Sequence, residues 1–268
     1  MRAMTRFVLA GVALAFGLAA KADGVKLPEA TRFTLDNGAQ VILARKADVP
    51  LIAARIAIRG GALADAQGKE GSAALLAELL GKGAGSRDAK AFVDAAADVG
   101  GDISFSASRE ALWVSAGFLA ADADLMLELL SDALLRPKLD PEEFAKLRER
   151  AIANIAAAKD GGGRALIGAY ADAWLFRRHP YGRPVNGGER SLAAISAADV
   201  RDYFRTQTGA DRAIISIVGD IDPAAMRRKI EARFAQWPRA QGELPVVAPA
   251  LRENTTRVLL VDKPGSAQ

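Results

Sequence analysis

Few side chains in this sequence could do chemistry. Its 268 residues include one histidine, His179, and no cysteine. No thiolate nucleophile, disulfide or cysteine-ligated zinc can be built, and no zinc site with two imidazoles can come from this chain alone. His179 opens His179-Pro180-Tyr181-Gly182-Arg183-Pro184, a run that turn chemistry explains. Lys82-Gly83-Ala84-Gly85-Ser86 is glycine-rich, but it lacks the spacing and the strand-to-helix setting of a phosphate-binding loop. Among the carboxylates, Glu78 falls in a short predicted helix and Glu149 in a long one. A lone carboxylate makes no zinc site.

The element that must position Glu78 spans Glu70 to Gly83. Leu75, Leu76, Leu79 and Leu80 form a stripe at helical spacing, and Gly81 and Gly83 end it. The helix of Glu149 starts clearly, with Asp140 as N-cap and Pro141 in the first turn. It runs to about Lys159 and stops at Gly161-Gly162-Gly163. Other helices are expected over 86–99, from near Asp122 to before Pro137, over 164–176, from Ser196 onward, and from Pro223 to Ala235. Asn37-Gly38 predicts a hairpin over 33–43. Further strands are expected over 51–58, 102–107, 111–118, 213–218 and 256–261. Strands and helices come in blocks, which predicts an α+β fold: an antiparallel or mixed sheet with helices packed on it.

The formal net charge is +4. Residues 1–22 hold Arg2, Arg6 and Lys21 and no acid, so the rest carries 33 basic residues against 32 acidic. That balance is no nucleic-acid footprint. The opening reads as a secretory signal: a positive start, a short apolar run from Phe7 to Ala20, and Ala20-Lys21-Ala22 as the cleavage site. The mature protein is expected to begin near Asp23, to be exported to the periplasm, and to have no membrane span after cleavage. The expected domains are 1–22 as signal, 23–237 as one folded unit, 238–254 as linker, and 255–268 as the cut-short start of a second half.

Several blocks, in order, resemble the pitrilysin/insulinase family of zinc metallopeptidases. They are Leu35-Asp36-Asn37-Gly38, Arg59-Gly60-Gly61-Ala62, the 70–83 helix, Gly100-Gly101-Asp102-Ile103-Ser104 followed by Ser108-Arg109-Glu110, His179-Pro180-Tyr181-Gly182-Arg183-Pro184 with Gly187, and Val218-Gly219-Asp220-Ile221-Asp222. The family carries an inverted H-x-x-E-H on a helix, two histidines for zinc and a glutamate to activate water. The resemblance puts those three places at Ala74, Ala77 and Glu78. It puts the third metal ligand at Ala156, seven residues after Glu149, which would match a glutamate supporting the site. All four positions are altered, so the chain is expected to hold no metal and no catalytic residue.

The resemblance further implies a half of a clam-like chamber. The expected function is an exported, non-catalytic homologue, serving as partner subunit or peptide-binding half of a zinc metallopeptidase complex. Zinc would sit in an active partner with an intact H-x-x-E-H. Peptide substrates would add as a strand to the edge strand Ile103, Ser104, Phe105, Ser106 and Ala107. Two alternatives stand beside this: an active metallopeptidase with a different metal arrangement, and a structural assembly protein of the same fold.

Overall fold

Alternation of large and small apolar residues builds the sheet first. In a computed structural model, which describes residues 28–160, 166–250 and 256–260, six strands pair in the order β1-β2-β6-β3-β5-β4. They are β1 (Ala30–Thr34), β2 (Gln40–Arg45), β3 (Leu51–Arg59), β4 (Asp102–Ala107), β5 (Ala111–Leu119) and β6 (Ala213–Gly219). Only β2 and β6 run parallel, so the sheet is mixed. On β3, Ile52, Ala54, Ile56 and Ile58 are buried while Leu51, Ala53, Arg55 and Arg59 are exposed. The period of two gives the sheet one helix-covered face and one open face. The β1–β2 turn uses Gly38 at a φ of +98°, and the Asn37 amide donates to the Phe234 carbonyl at 2.8 Å.

The helices are α1 (Ser72–Leu80), α2 (Ala89–Ala97), α3 (Ala123–Leu135), α4 (Pro141–Asp160), α5 (Ile167–Phe176), α6 (Glu189–Ala194), α7 (Ala197–Gln207) and α8 (Pro223–Phe234). The core lies between them and the covered sheet face, where α1 sinks Leu75, Leu76, Leu79 and Leu80 and α3 sinks Met126, Leu127, Leu129 and Leu130. Burial of this kind is the main stabilising term, about 1.5–3 kcal/mol per large apolar side chain. Caps fix the helix starts. Asp140 Oδ1 accepts from Glu142 N at 2.8 Å and Glu143 N at 3.1 Å, and these two bonds hold the Asp140 carboxyl below its usual range. Ser196 and Asp199 form a reciprocal capping box on α7.

Three expectations change. The helix expected from residue 86 starts at Ala89, because Asp88 takes the cap and accepts from Ala91 N at 2.8 Å. Helix α6 falls in a stretch that sequence reading passed over. The strand expected over 256–261 is absent: residues 256–260 carry no regular structure. Its β-branched run favours a strand, but a strand also needs a neighbour to pair with. The signal over 1–22, Gly161 to Gly163, and 261–268 of the expected second half lie outside the described residues.

Candidate functional site

Two clefts meet at one ion pair. The larger, about 1090 Å³, is walled by α1, α4, α5 and the loop that leads into α6. The smaller, about 390 Å³, runs between α2 and the edge strand β4. Glu78 on α1 and Arg150 on α4 line both, and they are joined by a salt bridge. Ala74 also lines the larger cleft. Ala77 does not; it is only 1% exposed, packed inside the core. On the strand side, Ile103, Ser104 and Phe105 line the smaller cleft, whereas Ser106 and Ala107 lie outside it. Among the described residues β4 pairs with β5 alone, so its other edge is unpaired there, and Ser104 and Ser106 are exposed while Ile103, Phe105 and Ala107 are half-buried.

The long helix corrects one expected position. Ala156 is exposed and does not line the cleft; Arg150, Ala151, Asn154, Ile155 and Ala158 do. These five share a face of α4, and Ala156 and Glu149 project from the opposite side at about 100° per residue. Asn154, not Ala156, therefore shares the cleft with Ala74 and Glu78. Its partner seven residues back is Leu147, which is buried.

A zinc ion finds no ligand set here. Ala74 offers a methyl, Glu78 is already engaged by Arg150, and Asn154 is a neutral amide. Among the described residues no three His, Cys, Asp or Glu side chains gather as metal ligands.

Salt bridges lace the larger cleft instead. Lys159 on α4 meets Glu189 on α6, and Arg109, at the β4–β5 turn, meets Asp172 on α5. Arg109 Nε also donates to the Tyr181 carbonyl at 3.2 Å. The Tyr181 hydroxyl donates to Glu110, and that bond holds the phenol above its usual range. His179 forms the turn before it: its Nδ1 accepts from Tyr181 N at 3.1 Å. Beneath the cleft, Asp65 is 5% exposed and holds the start of α1, accepting from Gly71 N at 2.8 Å and Ala73 N at 2.9 Å. Burial pushes its carboxyl up to about 7 even though the two N–H bonds pull the other way. Of these residues, the sequence alone does not single out Arg150, Asn154, Asp172 or Asp65, and it marks Arg109 only within the block that follows the edge strand.

With this geometry in hand, comparison with known proteins is decisive. Residues 40–187 match the family model described as insulinase (peptidase family M16). The chain belongs to the insulinase, or M16 peptidase, family. Residues 194–268 match a second model, the peptidase M16 inactive domain. The boundary between the two matches is no boundary in the fold, because β6 lies within the second match and sits between β2 and β3.

Among relatives, the chain is 24% identical over 241 residues to mitochondrial-processing peptidase subunit beta of Blastocladiella emersonii, covering 90% of this chain and 51% of that one. It is 27% identical over 188 residues to an uncharacterized zinc protease of Mycobacterium tuberculosis, covering 70% and 42%. The chain thus spans about half the length of the M16 relatives it matches. In fold it is similar to the peptidase M16 inactive domain of Pseudomonas fluorescens, at a TM-score of 0.77, 20% identity, and coverage of 83% of this chain and 54% of that one. It is similar to pitrilysin at a TM-score of 0.73, 17% identity, and coverage of 85% and 25%.

Proposed function

We propose that this M16 chain is a non-catalytic peptidase homologue that works as the partner, or peptide-binding half, of a catalytic M16 unit. One observation carries the reading. The face where α1 and α4 meet offers Ala74, a buried Ala77, an ion-paired Glu78 and Asn154. That group supplies a single carboxylate, already paired with Arg150, and no imidazole, too few donors for a catalytic zinc. The scaffold around it is kept along the whole described chain.

Three features support a partner role. A peptide can extend the sheet at the free edge of β4, through backbone hydrogen bonds. The smaller cleft beside that edge has an apolar side lined by Phe92 and Phe105, whose ring centroids lie 6.3 Å apart, with Glu78, Arg150 and Lys82 at its polar side. Relatives carry names such as a processing peptidase subunit beta, and a solved structure is described as the first half of the periplasmic protease PqqL of Escherichia coli. The basic start, apolar run and Ala20-Lys21-Ala22 of the sequence support export to the periplasm. Zinc would then belong to the partner.

The test is co-expression with an M16 chain from the same genome that has an intact H-x-x-E-H. Size-exclusion chromatography and peptide cleavage are measured on each chain and on the mixture. Co-elution, with cleavage by the pair exceeding that of either chain, is the expected result. Separate peaks with a fully active second chain would defeat the proposal.

A further inference from the structure

Helix α5 is unusual in this fold. It is ten residues long, strongly apolar, and buries none of its side chains. Its packing is chiefly against the turn that follows it, Pro180–Gly182. Yet it walls the larger cleft through Ala169 and Asp172. An element without buried anchors opens at low free energy, because little apolar contact has to be broken.

Among the described residues, polar fasteners hold it on two sides. On the cleft side, Arg109 grips both parts at once, through Asp172 on α5 and the Tyr181 carbonyl in the turn. Glu110 takes the Tyr181 hydroxyl. On the outer side runs the segment after α8. It is pinned to the core by Ala240 N to Asp211 Oδ1 and by Gly242 N to the Thr206 carbonyl, both at 2.8 Å. It then reaches His179, whose Nε2 lies 2.7 Å from the Ala248 carbonyl. Because Nδ1 accepts from Tyr181 N–H, Nε2 carries the ring proton and donates. Farther along, the Arg257 guanidinium stacks 5.1 Å from the Trp174 ring. The stretch that begins with α5 ends at Gly187, whose φ is +73° and where a Cβ would meet the Glu70 carbonyl oxygen at 2.3 Å.

We infer that residues 166–186 form a lid over the degenerate cleft, latched by Arg109 on one side and strapped by residues 243–250 through His179 on the other. Opening it admits a peptide to the cleft without disturbing the sheet. The purpose of the lid rests on the peptide-binding reading, but its movement is measured with no peptide present, so the two can fail separately.

Hydrogen exchange by mass spectrometry on the full chain tests it, comparing wild type with Asp172→Ala and Arg109→Gln. Asp172→Ala leaves the β4–β5 turn intact, so it reports on the latch even if Arg109→Gln misfolds. Exchange in α5 should rise at least about tenfold in both, with β3 and β5 unchanged. Raising salt from about 0.05 to about 0.5 M should speed α5 in wild type and have no further effect in Asp172→Ala, since the latch is an ion pair. Equal α5 exchange in wild type and Asp172→Ala would overturn the lid. So would equal acceleration of α5 and the sheet.

Discussion

Replacing Asp65 tests the reasoning about the buried carboxyl that starts α1. Its ordinary value is 3.8 and its folded value is about 7, with burial as the main cause. A folded value above the unfolded one means that folding favours the protonated form. The associated stability is full below about pH 4 and is lost as pH rises through about 7. At about 1.4 kcal/mol per pH unit, the loss between these limits is ~4 kcal/mol. The Asp199 carboxyl has the opposite sign: its Ser196 and Lys69 hydrogen bonds hold it down, to about 2. Its stability is lost only as pH falls below about 4, outside the window. Urea unfolding at several pH values between 4.5 and 7.5 reads the effect, in wild type and in Asp65→Asn. Wild type should lose stability across that range. Asp65→Asn, which cannot ionise, should show a nearly flat profile, offset by about 1–3 kcal/mol because its amide group cannot accept from both Gly71 N and Ala73 N. A wild-type stability that rises with pH over this range would refute the argument, as would the same slope in Asp65→Asn.

Other outcomes follow from the same geometry. The set Ala74→His, Ala77→Glu, Glu78→His and Asn154→Glu should take up zinc, read by elemental analysis after dialysis, whereas the same set with Ala156→Glu in place of Asn154→Glu should not. Arg150→Ala should cost less than about 1 kcal/mol in urea unfolding, because its salt bridge to Glu78 is about half exposed. Gly187→Ala should cost about 2 kcal/mol or more, since a Cβ there meets the Glu70 carbonyl oxygen at a positive φ; thermal unfolding checks it. Mass spectrometry of the exported protein should find a chain that begins near Asp23.

Helix α1 was legible in the sequence because its four leucines fix both its period and its phase, and Ala74 and Glu78 consequently fell where the cleft is. Helix α4 was legible as a helix but not in phase. Its packed stripe, Phe144, Leu147, Ala151 and Ile155, is present in the sequence. Weighing that stripe against the Glu149-to-Ala156 spacing would have exposed Ala156 and placed Asn154 in the cleft. The Arg109–Asp172 latch had no such signal, since 63 residues separate the pair and no periodicity links them. Asp65 was likewise hidden, as it caps a helix from outside the local capping pattern. The final strand was overread because β propensity reports only the residue, whereas pairing depends on what lies beside it.

Under the proposed non-catalytic reading, the geometry accounts for a fold that stays intact without its metal ligands. The residues that hold α1 in place are the buried leucines, and of these Leu76, Leu79 and Leu80 lie outside the cleft lining while Leu75 borders it. Ala74 and Glu78 face the cleft and contribute little to packing. In a metal enzyme the ion ties the facing helices together; in this chain Glu78 and Arg150 make that link with opposite charges. Ala77 is the exception, because it is buried. A glutamate there would have to fit into the closed core around α1. Regaining the chemistry thus needs both new ligands and a broken salt bridge. Glu78→His alone would leave Arg150 without its partner, and Ala77→Glu alone would overfill the core, so these two changes carry a cost before a ligand set is complete.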